Sequence, residues 1–251
     1  MDWVRLRQEI TETASRVGAS LRALPPDTPL ARVTWTAAET GAHLVSLPGR
    51  YLAMADEPHP FPASLAEENQ RELAGTRDPA ELATLLEAEV GKLLAAFIDG
   101  DRPVWYYTAR LDEYAVTASM LSELLLHGTD LARALGRPWT ITRQQAVASL
   151  RAVMPAAVLV ADPRMAPKAR GTYHVHERGG DDWTVVVRDE VTVSRGKPAR
   201  ADLHLSVDPV GFLLNAVGLM SRARFALTGG MVMWGRKPWL AAPFSGLFAR
   251  V

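Results

Sequence analysis

Glu123 and His127 stand four apart in the segment LSELLLHGTDLARALG. On a helix such a pair projects from one face with its Cβ atoms roughly 6 Å apart, close enough to share one cation. The flanking Met120, Leu121, Leu124 and Leu131 are apolar. The helix is therefore expected to be largely buried, where a carboxylate beside an imidazole is costly without a partner. His43, in WTAAETGAHL, supplies a third donor in a similar setting beside Leu44 and Leu47, with Pro48 expected to kink its helix about one turn later. Two histidines and one carboxylate leave a coordination position open, which is how zinc is held for catalysis rather than for structure. On spacing alone the same residues also fit a plain reading: a helix ion pair of Glu123 with His127, and His43 as a satisfied core histidine. Asp130, three after His127 on the same face, is either an acceptor for an imidazole N–H and occasional fourth ligand, or an ion-pair partner of Arg133 or Arg137.

These side chains need helices to position them, and the N-terminal part of the chain has the period of helices. Trp3, Leu6, Ile10, Val17 and Leu21 form one stripe. Start signals are plain: Thr36 with Glu39 and Ser64 with Glu67 fit capping boxes, and Asp78 precedes Pro79 and Glu81. Long helices are predicted near 2–23, 36–54, 79–98 and 115–135, the last stopped by Gly136 and Pro138. A shorter one is predicted over 64–75 and another over 142–160. Antiparallel packing of the four long helices would make a bundle, whose interior is a usual place for metal sites.

After the proline-broken segment 161–167 the pattern changes to alternation, in Thr172–Glu177, Trp183–Arg188 and Asp202–Val207, with Gly179 and Gly180 marking a hairpin turn. A capped helix is predicted over Asp208–Gly218, a short strand over Met231–Trp234 after Gly229 and Gly230, and a final helix over Pro238–Phe248. The expected organisation is thus a helical bundle over 1–162 and a smaller α+β domain over 168–251.

With 251 residues and 48% hydrophobic content, the chain can bury a sizeable core. Lys+Arg 28 balance Asp+Glu 28, and no long basic run would track a phosphate backbone, so nucleic acid is not an expected partner. No stretch reaches the roughly 20 apolar residues of a membrane span, and MDWVRLRQE lacks a signal peptide's apolar core, so no membrane is expected and a cytoplasmic location is. There is no cysteine, which removes disulfides, thiolate ligands and a Cys nucleophile together. Any thiol chemistry must come from outside the chain. Serine nucleophile elbows, phosphate loops and dinucleotide fingerprints are missing too.

Other candidates each have a plainer counterpart. His174 and His176 alternate along a predicted strand and share a face, but a solvated sheet face explains them better than a metal pair. His204 and His59 have no evident partners. Trp105, Tyr106, Tyr107 and Tyr114, in the loop Asp101–Tyr114, could wall a substrate pocket or pack against the second domain. Arg222 and Arg224 could clamp an anionic substrate as catalytic residues, or lie on a solvated helix face. Trp234 and Trp239 are expected in the core.

WTAAETGAHL followed by ELLLHGTDLARALGRPW resembles the paired signatures of the mycothiol-dependent maleylpyruvate isomerase family. The resemblance implies a DinB-like four-helix bundle in which a His of the first segment and the Glu and His of the second bind a divalent metal, typically zinc. Those positions here are His43, Glu123 and His127. ADLHLSVDPVGFLLNAVG through LTGGMVMWGRKPW is similar to the sterol-carrier-like C-terminal domain of many members. The implied function is a metal-dependent isomerase or S-transferase that brings mycothiol to a small electrophilic substrate, working as a monomer or homodimer. Two other classes fit the same scaffold: an apolar-ligand or lipid binding protein, and a metal-dependent hydrolase without thiol.

Overall fold

A computed structural model of the chain describes residues 1–31, 34–60 and 75–248. It divides into two compact units, Met1–Ile141 and Thr142–Val251.

The first unit is built on α1 (Trp3–Arg22), α2 (Ala37–Ala53), α3 (Pro79–Ala96) and α4 (Glu113–Ala134). Each start is fixed by a side chain that takes up an orphan N–H. Asp2 accepts from Arg5 N, Asp78 from Ala80 N and Asp112 from Ala115 N. Thr36 and Glu39 close a reciprocal capping box. Such caps contribute about 1 kcal/mol each. The α1 stripe is fully buried at Leu6, Ile10, Val17 and Leu21, where α1 packs on α3 and α4. Helix α2 packs on α3, and a Cβ on its Gly41 would stand only 3.2 Å from Leu82 Cδ1; glycine lets the two backbones close. Helix α2 also continues through Pro48 to Ala53. Helix α4 buries residues on nearly all sides, from Glu113 to Ala132, so any polar group on it must find its partner within the bundle.

The aromatic stretch expected as a loop is instead a hairpin, β1 (Pro103–Tyr106) paired antiparallel with β2 (Ala109–Asp112). Strands this short carry too few residues for alternation to register. Tyr107 makes the turn at φ 55, and its N–H donates to Met54 Sδ at 3.0 Å. The helix expected over 64–75, with its Ser64–Glu67 box, falls largely on residues outside those described.

The second unit begins earlier than the proline-broken segment. Its first helix, α5 (Arg143–Ala156), runs into a 3-10 turn at Ala157–Val160 and packs on α6 (Pro209–Ala216). Arg143 donates to Arg178 O at 2.5 Å and lies 3.4 Å from Asp208 Oδ1. The division between the two compact units thus falls ahead of this helix.

The sheet comprises β3 (Gly171–Glu177), β4 (Asp182–Val187), β5 (Val191–Arg195), β6 (Leu203–Val207) and β7 (Met231–Gly235), in the order β5-β4-β3-β6-β7. Only β3 and β6 run parallel. The expected hairpin at Gly179 and Gly180 joins β3 to β4, with Gly179 at φ 79. Tyr173, Val175, Val185, Val187, Leu203 and Val207 fill one face and are fully buried; Phe244, on α8 (Ala241–Leu247), stacks on Tyr173. Helix α7 (Arg222–Leu227) precedes the Gly229 turn. Among the described residues no helix is long and apolar enough to cross a membrane.

Candidate metal centre

His43 on α2 and Glu123 and His127 on α4 meet inside the bundle. Glu123 Oε2 stands 3.4 Å from His127 Nε2 and 3.6 Å from His43 Nε2. The three can each offer one ligand atom with all three atoms within 4.8 Å of one another. Both imidazoles are 3% exposed, whereas the Glu123 side chain retains 29%, so the carboxylate is the more accessible of the three donors. Spacing on α4 places Glu123 and His127 on one face, and the packing of α2 against α4 brings His43 across to them.

The local charges reinforce one another. Burial opposes ionisation of Glu123, yet the hydrogen bonds it accepts from His127 and His43 outweigh that and hold its pKa well below the usual carboxylate range. Burial also lowers His43, against the pull of Glu123. For His127 burial is outweighed by Asp130 and Glu123, and the net direction is up. Asp130 Oδ2 lies 3.7 Å from His127 Nδ1 and the residue is 3% exposed. Asp130 thus lies on the Nδ1 side of the His127 ring, and Glu123 on the Nε2 side.

Neighbours that spacing did not single out complete the surroundings. Trp35 lies against both histidines, with ring centroids 4.9 Å from His43 and 5.9 Å from His127. Arg50 donates to Ser46 Oγ at 2.8 Å and its Nη2 lies 3.4 Å from His43 Nδ1. The Tyr106 hydroxyl is hydrogen-bonded to Ser119 and Tyr51, and burial and the charge on Glu123 push its pKa up. Ser119 precedes Glu123 by one helical turn and was readable from that spacing. Trp35 and Tyr51 were not, because only the packing brings them near.

Of the four aromatics expected near a pocket, Tyr106 does sit beside this cluster and Tyr107 packs on it, with ring centroids 5.0 Å apart. Tyr114 does not: its hydroxyl donates to Met1 O at 2.9 Å. Trp105 carries Arg110 over its ring at 5.2 Å. His59 lies 3.8 Å from Glu57. In the second unit Arg222 and Arg224 are exposed on α7. Trp234 and Trp239, expected in the core, are 49% and 66% exposed, because the edge strand and the turn that carry them have no covering element among the described residues.

The sequence of the bundle, residues 6–132, matches the family described as the mycothiol maleylpyruvate isomerase N-terminal domain, over about half of the chain. The chain belongs to this family. A solved structure of the mycothiol-dependent maleylpyruvate isomerase is similar over 93% of this chain and 93% of that one, with a TM-score of 0.52 at 14% identity. At that identity the likeness establishes the shared fold, a helical bundle followed by an α+β domain. Sterol Carrier Protein 2 Like 2 from Aedes aegypti is similar over 42% of this chain and 98% of its own, with a TM-score of 0.36 at 19% identity. No curated protein matches the chain.

Proposed function

We propose that this member of the family is a divalent-metal-dependent enzyme that brings an external low-molecular-weight thiol, mycothiol, to a small electrophilic substrate, by isomerisation or by thiol transfer. The observation that carries the reading is the shared oxygen of Glu123, 3.4 Å from His127 Nε2 and 3.6 Å from His43 Nε2. Donors bound at about 2.0–2.1 Å to one tetrahedral ion stand roughly 3.3 Å apart, close to these two separations, so the carboxylate oxygen is placed to share an ion with each imidazole. The donor set of two imidazoles and a carboxylate suits zinc. When bound, such an ion supplies Lewis acidity at an open position and favours the ionised form of a thiol placed there.

The chain's own residues then have separate tasks. His43, Glu123 and His127 hold the ion, and Asp130 aims His127. Trp35 covers both imidazoles and keeps bulk water from their faces. Tyr106 and Tyr51 bring hydroxyls to the Glu123 side. A chain with no cysteine needs a sulfur nucleophile from solution for such chemistry. Thiolate addition to a conjugated double bond leaves a single bond that can rotate, and elimination of the same thiolate restores the double bond in the other configuration. In transfer the adduct is protonated and released instead. Arg222 and Arg224 are proposed as guanidinium contacts for an anionic substrate.

The test is turnover of a conjugated cis-enedioic acid or related electrophile by zinc-loaded protein, with and without mycothiol. Activity that requires both supports the proposal; turnover that is indifferent to thiol would indicate metal-activated water. Folded protein that binds no divalent metal would sink the metal part.

A further inference from the structure

The polar face of the β3–β7 sheet carries a continuous run of imidazoles and carboxylate. His174 is opposite His204 on the parallel pair β3–β6, His176 is opposite Asp182 on β4, and Trp234 of the edge strand β7 is opposite His204. Asp182 Oδ1 accepts from His174 Nε2 at 2.8 Å and from His176 Nδ1 at 3.0 Å. His174 Nδ1 lies 3.0 Å from His204 Nδ1. The His204 ring stacks on Trp234, with centroids 5.4 Å apart and planes 6° from parallel. His174 is buried, at 9% exposure.

The proton positions follow from this chain of contacts. An ionised carboxylate only accepts, so His174 must carry its proton on Nε2. In neutral His174 the Nδ1 is then a bare acceptor, and His204 must donate from its own Nδ1, leaving its Nε2 bare. A first added proton charges one of the two facing rings. The Nδ1–Nδ1 bond survives, because the charged ring donates from its Nδ1 to the bare Nδ1 of the neutral one. A second proton leaves an N–H on both facing Nδ1 atoms, with no acceptor between them and like charges on both rings.

We propose that His174 and His204 form an acid-operated latch: one proton preserves the contact between them, a second breaks it, and the break lets His204, still stacked on Trp234, swing from β3 and loosen the edge strand β7. The charged and titratable groups facing the pair are His176 from β3, Asp182 from β4 and Lys197, whose Nζ is 3.8 Å from Asp182 Oδ2 and follows β5; β7 contributes the uncharged Trp234. Asp182 offsets one positive charge on the pair, and Lys197 already draws on that carboxylate. Nothing in the set offsets a second charge at His204. Burial and then repulsion from His174 lower the His204 pKa in the same sense.

The test uses the full chain. An imidazolium stacked on an indole quenches its emission, so the pH-dependent difference between the wild type and Trp234→Phe reports His204. The expected result is quenching with a midpoint below that of an ordinary imidazole, absent in His204→Gln and moved upward by about one pH unit in His174→Gln. Hydrogen exchange of the β7 amides, relative to intrinsic rates, should accelerate over the same range in the wild type and not in His204→Gln. A midpoint unmoved by His174→Gln, or β7 exchange indifferent to the transition, would overturn the latch. Should His174→Gln fail to fold, long-range nitrogen–proton NMR of the wild type at about pH 8 decides. His174 protonated at Nε2 with His204 protonated at Nδ1 supports the latch, and a bare His204 Nδ1 overturns it.

Discussion

Glu123 Oε2 lies 3.4 Å from Nε2 of His127, one turn further along the same helix. That oxygen also faces His43 Nε2 from α2, at 3.6 Å, so a single carboxylate oxygen serves two imidazoles drawn from different helices. Its consequences can be measured.

His127→Ala and His43→Ala should each reduce bound zinc from close to one per chain to near zero, with helical circular dichroism retained. Equilibrium dialysis followed by elemental analysis reads the occupancy. Chelation should also lower the melting temperature of the wild type, by an amount that grows with the metal concentration it reverses. A variant that keeps its zinc would remove that histidine from the ligand set.

Asp130→Ala should weaken metal binding by about 10–100-fold while leaving the three ligands in place. Asp130 sits 3.7 Å behind His127 Nδ1, where an acceptor fixes the ring and its tautomer. Competition with a chromophoric chelator measures the change; an unaltered affinity would leave Asp130 with no part in orienting the ring.

Gly128→Ala should destabilise the bundle by about 1–3 kcal/mol, because overpacking forces side chains off their rotamers. A Cβ at this position would stand 2.2 Å from Trp139 Cζ2, and Trp139 is itself held by Arg16 at 4.1 Å over its ring. Urea denaturation gives the magnitude. Adding Trp139→Leu to the alanine variant should recover part of the loss, since it removes the clash.

Glu177 should make the second unit less stable as pH rises. Its carboxyl is fully buried, and burial raises its pKa from 4.5 to about 7, with the Trp183 indole N–H opposing the shift. The folded state therefore favours the protonated acid. The stability this gives is present below about pH 4.5 and is lost as pH climbs through about 7, up to about 3 kcal/mol in total. Glu177→Gln should flatten that slope in a pH series of denaturation curves, and an unchanged slope would assign it to another group.

Much of this protein was already determined by its residues in order. The caps at Thr36 and Asp78, the α1 stripe and the Gly179 turn are local signals, each complete within a few residues, and the structure carries all of them. The i, i+4 spacing likewise put Glu123 and His127 on one face, since both lie on one helix. Sequence alone left His43 open between ligand and core histidine, because its approach to Glu123 depends on how α2 lies against α4. The same holds for Trp35 and Tyr51 beside the cluster, and for the early boundary that assigns α5 to the sheet unit, where contacts rather than composition decide. His204 read as partnerless until strand pairing set it between His174 and Trp234. Local propensity and periodicity are written along the chain, whereas a site shared between elements exists only after burial has fixed which faces meet.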